Sequence, residues 1–274
     1  MKYRHPVLAA ALAVLPLTGS LAAAKFPASM AGIWRIEKPV VAVRTADGEE
    51  PPLLPEAAKL YQRHLAQRQQ GDTSYDSTTW CASAGMPRMM LLNSRFDLVV
   101  SPPYVAFLQE WNWWARTVYL DGALSSKPSA APLVPPNAGP PPGAGGPPGG
   151  PAGAPPGGAA GAPAEARANF NEATGPMGLS RGRLEGDTMI IETTALRDTT
   201  LIDNSGLPHS DALKVIEHLR LKSADVLEDR IRIEDPKTFT QPWETLVTYR
   251  RQQGEIKEDV CLDRIKTGQP ALPN

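Results

Sequence analysis

A charge imbalance is the first thing this chain lacks. Its 28 Lys and Arg stand against 29 Asp and Glu, a formal net charge of −1, so no broad positive field exists to hold nucleic acid or an acidic membrane face. Cysteine is nearly absent, with only Cys81 and Cys261. Beyond His5 the histidines are His64, His209 and His218, and no H-E-x-x-H pair joins them. There is no P-loop and no dinucleotide fingerprint in a βαβ context, so the usual nucleotide-binding signatures are missing. No segment after the N-terminus is apolar enough to span a bilayer, which takes about 20 apolar residues. The mature chain is expected to be soluble, with no membrane insertion.

What is present begins with an export signal. Lys2 and Arg4 precede the apolar Val7–Leu17, and Ala22-Ala23-Ala24 fits a small-residue cleavage site. Pro16, Thr18, Gly19 and Ser20 interrupt the apolar run and argue against a membrane anchor. Residues 1–24 are therefore read as a signal peptide to the periplasm. In an oxidising compartment Cys81 and Cys261 most simply form one disulfide. The alternative, a nucleophilic Cys81, needs a nearby base and a reducing compartment.

Most of the mature chain has strand texture. Gly32–Glu37 alternates apolar and polar residues. One helix is expected over 56–70: Pro55 suits a first helical position, Glu56 its first turn, and Gly71 ends the run. His64 lies on the apolar stripe of that helix and reads as a packed histidine. Strand-like runs follow at Met89–Leu92, Phe96–Val100, Tyr104–Trp111 and Trp113–Leu120, then at Gly178–Leu184, Thr188–Thr194, Leu213–Leu221, Val226–Glu234, Trp243–Arg251 and Glu255–Leu262. Residues 125–168 differ in kind. They are almost all Pro, Gly, Ala and Ser, too poor in apolar surface to offset ordering entropy, and read as a disordered insert in a surface loop. Strand texture resumes unchanged after it, so 25–124 and 169–274 are expected to build one domain. The fold expected is all-β, mainly antiparallel: a single lipocalin-like barrel of roughly 9–11 strands with one N-terminal helix.

Several constellations carry chemistry. Gly178-Leu179-Ser180-Arg181-Gly182 matches G-x-S-x-G, but that motif needs a following helix, and a β-hairpin follows here instead. Gly206-Leu207-Pro208-His209-Ser210-Asp211 is a turn that delivers an imidazole and a carboxylate two residues apart, on one side of an extended chain. His209, Asp211 and either Glu217 or His218 are a possible mixed metal site, although the spacing does not demand one. Along Lys214–Leu221, Val215, Leu219 and Leu221 share a face with Glu217. If that face is the interior, Glu217 is either a carboxyl with a raised pKa or the partner of an inward Arg, for which Arg116 is available. Glu110 is a second candidate carboxylate. It precedes Trp111, Trp113 and Trp114, which form plain core or line a pocket for a flat aromatic ligand. Tyr104, Arg116 and Tyr119 lie nearby and are candidates to orient a phenol or carboxylate.

Taken together, Gly71-Asp72-Thr73-Ser74-Tyr75-Asp76, Gly85-Met86-Pro87-Arg88-Met89, Glu110-Trp111-Asn112, Tyr119-Leu120-Asp121-Gly122, Glu185-Gly186-Asp187-Thr188, Gly206–Leu213 with Glu217, Asp235-Pro236 and Gln241-Pro242-Trp243 resemble a family of exported, largely uncharacterised bacterial β-rich proteins. The resemblance spans most of the mature chain outside the Pro/Gly insert, which is not part of the pattern. It implies a single β-rich domain with a shared pocket. The functional expectation is an enzyme without a cofactor that moves protons on a hydrophobic, aromatic small molecule. A lyase or isomerase step would fit, for instance retro-aldol deformylation of a lignin-derived phenolic. His209 would be the base or acid, held by Asp211, with Glu110 and Glu217 a second pair and Arg116 or Tyr119 on a developing oxyanion. The alternative is a periplasmic carrier of the same ligand.

Overall fold

The structure, a computed structural model, describes residues 28–120 and 175–273. The expected signal peptide, 1–24, and the expected disordered insert, 125–168, lie outside the described residues. Nine strands close into one barrel in sequence order: β1 (Gly32–Ile36), β2 (Arg95–Ser101), β3 (Tyr104–Gln109), β4 (Ala115–Leu120), β5 (Leu179–Glu185), β6 (Thr188–Thr194), β7 (Lys214–Ser223), β8 (Val226–Glu234) and β9 (Trp243–Arg251). Strands from both sides of the insert form the same sheet, and β9 pairs with β1 to close it. Closure leaves no strand with an unpaired edge.

Every neighbouring pair is antiparallel except β4 and β5, which run parallel with Val118 opposite Ser180. The expected run of antiparallel strands is corrected at this one seam. Two-residue hairpins cannot join parallel strands, and the long stretch 121–174 lies between these two.

One end of the barrel is made of tight turns: Pro102-Pro103, Gly186-Asp187 and Ala224-Asp225. The other end receives the connections 37–94, 110–114, 195–213 and 235–242, which pack into a cap. The cap contains α1 (Pro55–Gln69), with Pro55 at its start, Glu56 in its first turn and Gly71 in a left-handed conformation after its end. A short C-terminal helix, α2 (Cys261–Lys266), replaces the expected last strand. Its Cys261 is joined to Cys81 by a disulfide. Two further expectations are corrected. Met89–Leu92 is not a strand: Arg88–Leu91 form a buried 3₁₀ turn. The Trp-rich segment 110–114 is a turn between β3 and β4, with Asn112 and Trp113 both at positive φ.

Alternation decides what faces in. On β7, Val215, Glu217 and Leu219 are buried while His218 and Arg220 are exposed. The same parity puts Trp34, Phe96, Leu98, Phe107, Val118, Ile191, Ile231 and Tyr249 inside. Each such side chain contributes about 1.5–3 kcal/mol through burial. The polar residues that share this interior are therefore conspicuous.

Candidate functional site

Those polar residues form one cluster. Arg116 enters from β4 and is 2 % exposed. Its two terminal nitrogens hold the carboxylate of Glu217, Nη1 at 2.8 Å. Its Nε donates to Ser180 Oγ at 3.0 Å and its Nη2 to Thr193 Oγ1 at 2.7 Å. The two hydroxyls lie 2.8 Å apart. The guanidinium also sits over the Phe107 ring, 5.3 Å from its centroid. A buried arginine needs this many partners, because each unmet charge–dipole contact costs more inside than in water.

Asp229 completes the cluster from β8. It is fully buried, yet neither carboxyl oxygen meets a hydrogen-bond donor among the described residues. Glu217 pairs across with Ile231, and Asp229 with Leu219, so the two carboxyls are diagonal neighbours on one face. Burial pushes the Asp229 carboxyl well above the usual range, and the negative charge of Glu217 pushes it the same way, against the pull of Arg116. Two carboxylates cannot both stay ionised so close together. With a proton on Asp229, a contact between two acceptors becomes a hydrogen bond to Glu217. The cluster then holds one positive and one negative charge and one neutral acid.

Aromatic side chains wall this group. Phe96 packs against Phe107 at 5.8 Å and edge-on against Tyr249 at 5.2 Å. Burial, then the charges of Asp229 and Glu217, hold the Tyr249 phenol well above its ordinary pKa. It therefore stays protonated, and it donates to the Met90 carbonyl at 3.1 Å. Gln109 Nε2 reaches Met90 Sδ at 3.8 Å. The Arg88–Leu91 turn thus closes the cap end of the interior.

No protein family, curated protein or solved structure matches the chain. The chemistry of the site therefore has to be read from its own residues. A neutral carboxylic acid next to an ionised carboxylate is a proton donor beside a proton acceptor. Arg116 fixes which of the two carries the charge.

The other candidates lie elsewhere. His209 and Asp211 do not meet. Asp211 is exposed and pairs with Lys237 at 2.7 Å, because residues 195–213 are a packed cap loop and strand geometry starts only at Lys214. His209 is buried in that loop, with Nδ1 2.9 Å from the Ser210 carbonyl and Nε2 2.8 Å from Thr200 Oγ1. With its proton on Nδ1 it donates to Ser210, and its Nε2 competes with the Arg197 carbonyl, 3.1 Å from Thr200 Oγ1, for the Thr200 hydroxyl proton. Burial lowers its pKa, opposed by the Ser210 carbonyl, Asp235 and Asp198, so the imidazole is neutral. His218 faces outward on β7. Hence His209, Asp211, Glu217 and His218 do not converge, and no group of three or more possible ligands forms a metal site among the described residues.

Glu110 is not a partner of Glu217. It sits on the turn after β3, in an ion pair with Arg95 at 2.5 Å, and accepts the Lys257 N–H at 3.0 Å. Burial alone would raise its pKa, but these donors hold it below the usual range. The three tryptophans diverge. Trp111 is buried with Nε1 donating to the Ala271 carbonyl at 2.8 Å. Trp113 is 38 % exposed, and Trp114 packs against the edge of the core. Tyr104 and Tyr119 form an edge-to-face pair, 5.5 Å between centroids, on the outer wall. Tyr119 therefore cannot assist Arg116, which has the opposite parity on β4. Ser180 is no nucleophile elbow, since it lies in a strand and binds Arg116. His64 is a packing residue, stacked on Tyr75 at 4.2 Å with Nδ1 2.7 Å from the Gly206 carbonyl.

Proposed function

We propose that the protein is an exported periplasmic enzyme, secreted by residues 1–24, that performs cofactor-independent acid/base chemistry on a small hydrophobic, aromatic molecule. The reaction is of the lyase or isomerase type, such as a retro-aldol cleavage or a double-bond shift. The observation that carries the reading is Asp229, a fully buried carboxyl that meets no hydrogen-bond donor among the described residues and lies beside the Glu217 carboxylate. Burial and the neighbouring carboxylate favour the protonated form of such a group and cost stability where it stands, which is the signature expected of a working acid. Glu217 takes a proton from the substrate and Asp229 returns one to the product, so the pair ends with its proton exchanged and its total charge unchanged. Arg116 keeps the charge on Glu217 before the reaction and on the substrate oxygen during it. The rings of Phe96, Phe107 and Tyr249 supply the apolar wall a flat substrate needs. The reading requires the Arg88–Leu91 turn to move for substrate to enter, since Met90 closes that end. A disulfide between residues 180 apart in sequence supports the oxidising compartment.

The test is incubation of purified protein with a panel of aromatic dimers, followed by mass analysis for products. Turnover that vanishes in Asp229→Asn and Glu217→Gln, with binding retained, supports the reading. A ligand bound tightly and returned unaltered makes the protein a carrier instead. Turnover abolished by chelator and restored by zinc or iron would place the chemistry on a metal.

A further inference from the structure

A second site lies in the cap, apart from the barrel interior. A cleft of about 340 Å³ is lined by Arg68, Thr73, Asp76, Thr78, Thr79, Arg88 and Asn204 on one side and by Pro270, Ala271 and Leu272 on the other. That volume is within the range of small-molecule sites, about 300–1,000 Å³. Three stretches distant in sequence meet there, 68–88, Asn204 and 270–272, and the Cys81–Cys261 disulfide ties the segment carrying Thr78 and Thr79 to the one carrying Pro270–Leu272. A covalent bond thus tethers two of the segments that line the cleft.

Two guanidinium groups and one carboxylate line the cleft. Arg88, 2 % exposed, grips Asp76 through both terminal nitrogens at 2.9 and 2.7 Å and donates Nε to Asn204 Oδ1 at 2.8 Å. Asp76 is thereby spent: it also accepts the Thr78 N–H and hydroxyl at 3.0 and 2.7 Å. Among the described residues Arg68 has no carboxylate partner. Its Nη1 donates to the Asn204 carbonyl, and a guanidinium carries five N–H donors. One positive charge is left over, in a cleft whose opposite wall is proline, alanine and leucine.

We propose that this cleft binds the carboxylate of a small organic acid, its charge on Arg68 and its apolar body along Pro270–Leu272. Arginine suits the task because its planar fork matches a carboxylate. The Thr79 hydroxyl, which also lines the cleft, donates to Thr73 at 3.1 to 3.2 Å and would have to exchange that contact to reach an incoming oxygen. The cleft does not contain the Glu217–Asp229 pair, although Arg88 belongs to the turn that closes the barrel, so an Asp229→Asn control separates this binding from the reaction proposed above.

The experiment is calorimetric titration of the full chain with 3-phenylpropanoate, with its uncharged amide as control, repeated on Arg68→Gln and on Asp229→Asn. Arg68 is partly exposed, so its substitution leaves the folded state in place, which circular dichroism checks. Expected are binding of the acid, at least about tenfold weaker binding of the amide and of Arg68→Gln, and unchanged binding by Asp229→Asn. Equal affinity for acid and amide, unchanged affinity in Arg68→Gln, loss of binding in Asp229→Asn, or no binding at millimolar acid would each overturn the proposal.

Discussion

Inside the barrel the carboxyl of Asp229 faces that of Glu217 across β7 and β8, and of the two carboxyls Arg116 bonds only that of Glu217. The arrangement is asymmetric, and the asymmetry has thermodynamic consequences. The folded-state pKa of Asp229 is raised, so folding favours its protonated form. Stability from this group is full below the unfolded value near 3.8 and declines as pH rises toward the folded value. Asn, neutral and of the same shape, should remove that decline. Asp229→Asn is expected to be about 1–2 kcal/mol more stable than the parent at pH 8, with the gain shrinking toward pH 4, while turnover is lost. Urea denaturation across that range measures it. A variant less stable than the parent at pH 8 would contradict a protonated Asp229.

Arg116→Met removes the only cation from the cluster and leaves two carboxyls facing each other. Breaking a buried ion pair in this way costs about 3–5 kcal/mol. Glu217→Leu added to Arg116→Met should restore part of the loss, because the orphaned charge goes with it. A double-mutant cycle in chemical denaturation reads the coupling, and additive losses would show that the two side chains do not interact.

Much of this cluster was legible in the sequence, but not all. The alternation Val215, Glu217, Leu219 put Glu217 on the inner face, and Arg116 was the inward cation within reach. The same parity rule applied to β8 puts Asp229 beside Leu227, Ile231 and Ile233; the signal was present in a segment read as a strand, but Asp229 was not singled out. His209 and Asp211 illustrate the opposite failure. Two residues apart they share a side only in extended chain, and the packed loop from 195 to 213 is not extended. Nor does residue spacing reveal a parallel seam such as β4–β5, since pairing across 121–174 is set by how the barrel closes. The tryptophans diverge because Asn112 and Trp113 take left-handed conformations, which periodicity does not encode.

His209 gives a second pH signature, on the acid side. Its pKa is lowered in the folded state by burial, so its contribution to stability is complete above the unfolded value near 6.5 and is lost as pH falls below it toward the folded value. His209→Gln cannot charge. The variant should be less stable than the parent at pH 7.5 and show a shallower loss between pH 7 and 5. Parallel slopes for the two proteins would mean that His209 titrates normally.

Cys81 and Cys261 close a loop of 180 residues. In the chain-entropy treatment a loop of that size is worth about 4–5 kcal/mol. Cys81→Ser with Cys261→Ser should therefore lower the unfolding midpoint strongly. It should also weaken binding of the organic acid in the cap cleft, because the bond joins its two walls. Thermal melts with and without reductant measure the first effect. Unchanged binding by a double Ser variant that remains folded would show that the cleft is held by packing alone.

Gly206 separates two effects that usually arrive together. Its φ of +101° disfavours any side chain, and a Cβ there would lie 2.9 Å from His64 Cβ and 3.2 Å from the Tyr75 ring. Both neighbours belong to the stacked pair that docks α1 on the cap loop. Gly254 has a similar φ of +89° but open space around it. Backbone strain of this kind costs about 1–3 kcal/mol, so Gly254→Ala should show that penalty alone. Gly206→Ala should lose more, because His64 cannot retreat while its Nδ1 holds the Gly206 carbonyl. The difference between the two variants in urea denaturation isolates the steric part, and equal losses would mean that α1 shifts freely away from the loop. A shift of that kind would also displace Arg68 on the last turn of α1 and the Asn204 carbonyl it binds. Only in that contrary case would Gly206→Ala weaken the cap cleft, from a position that does not line it.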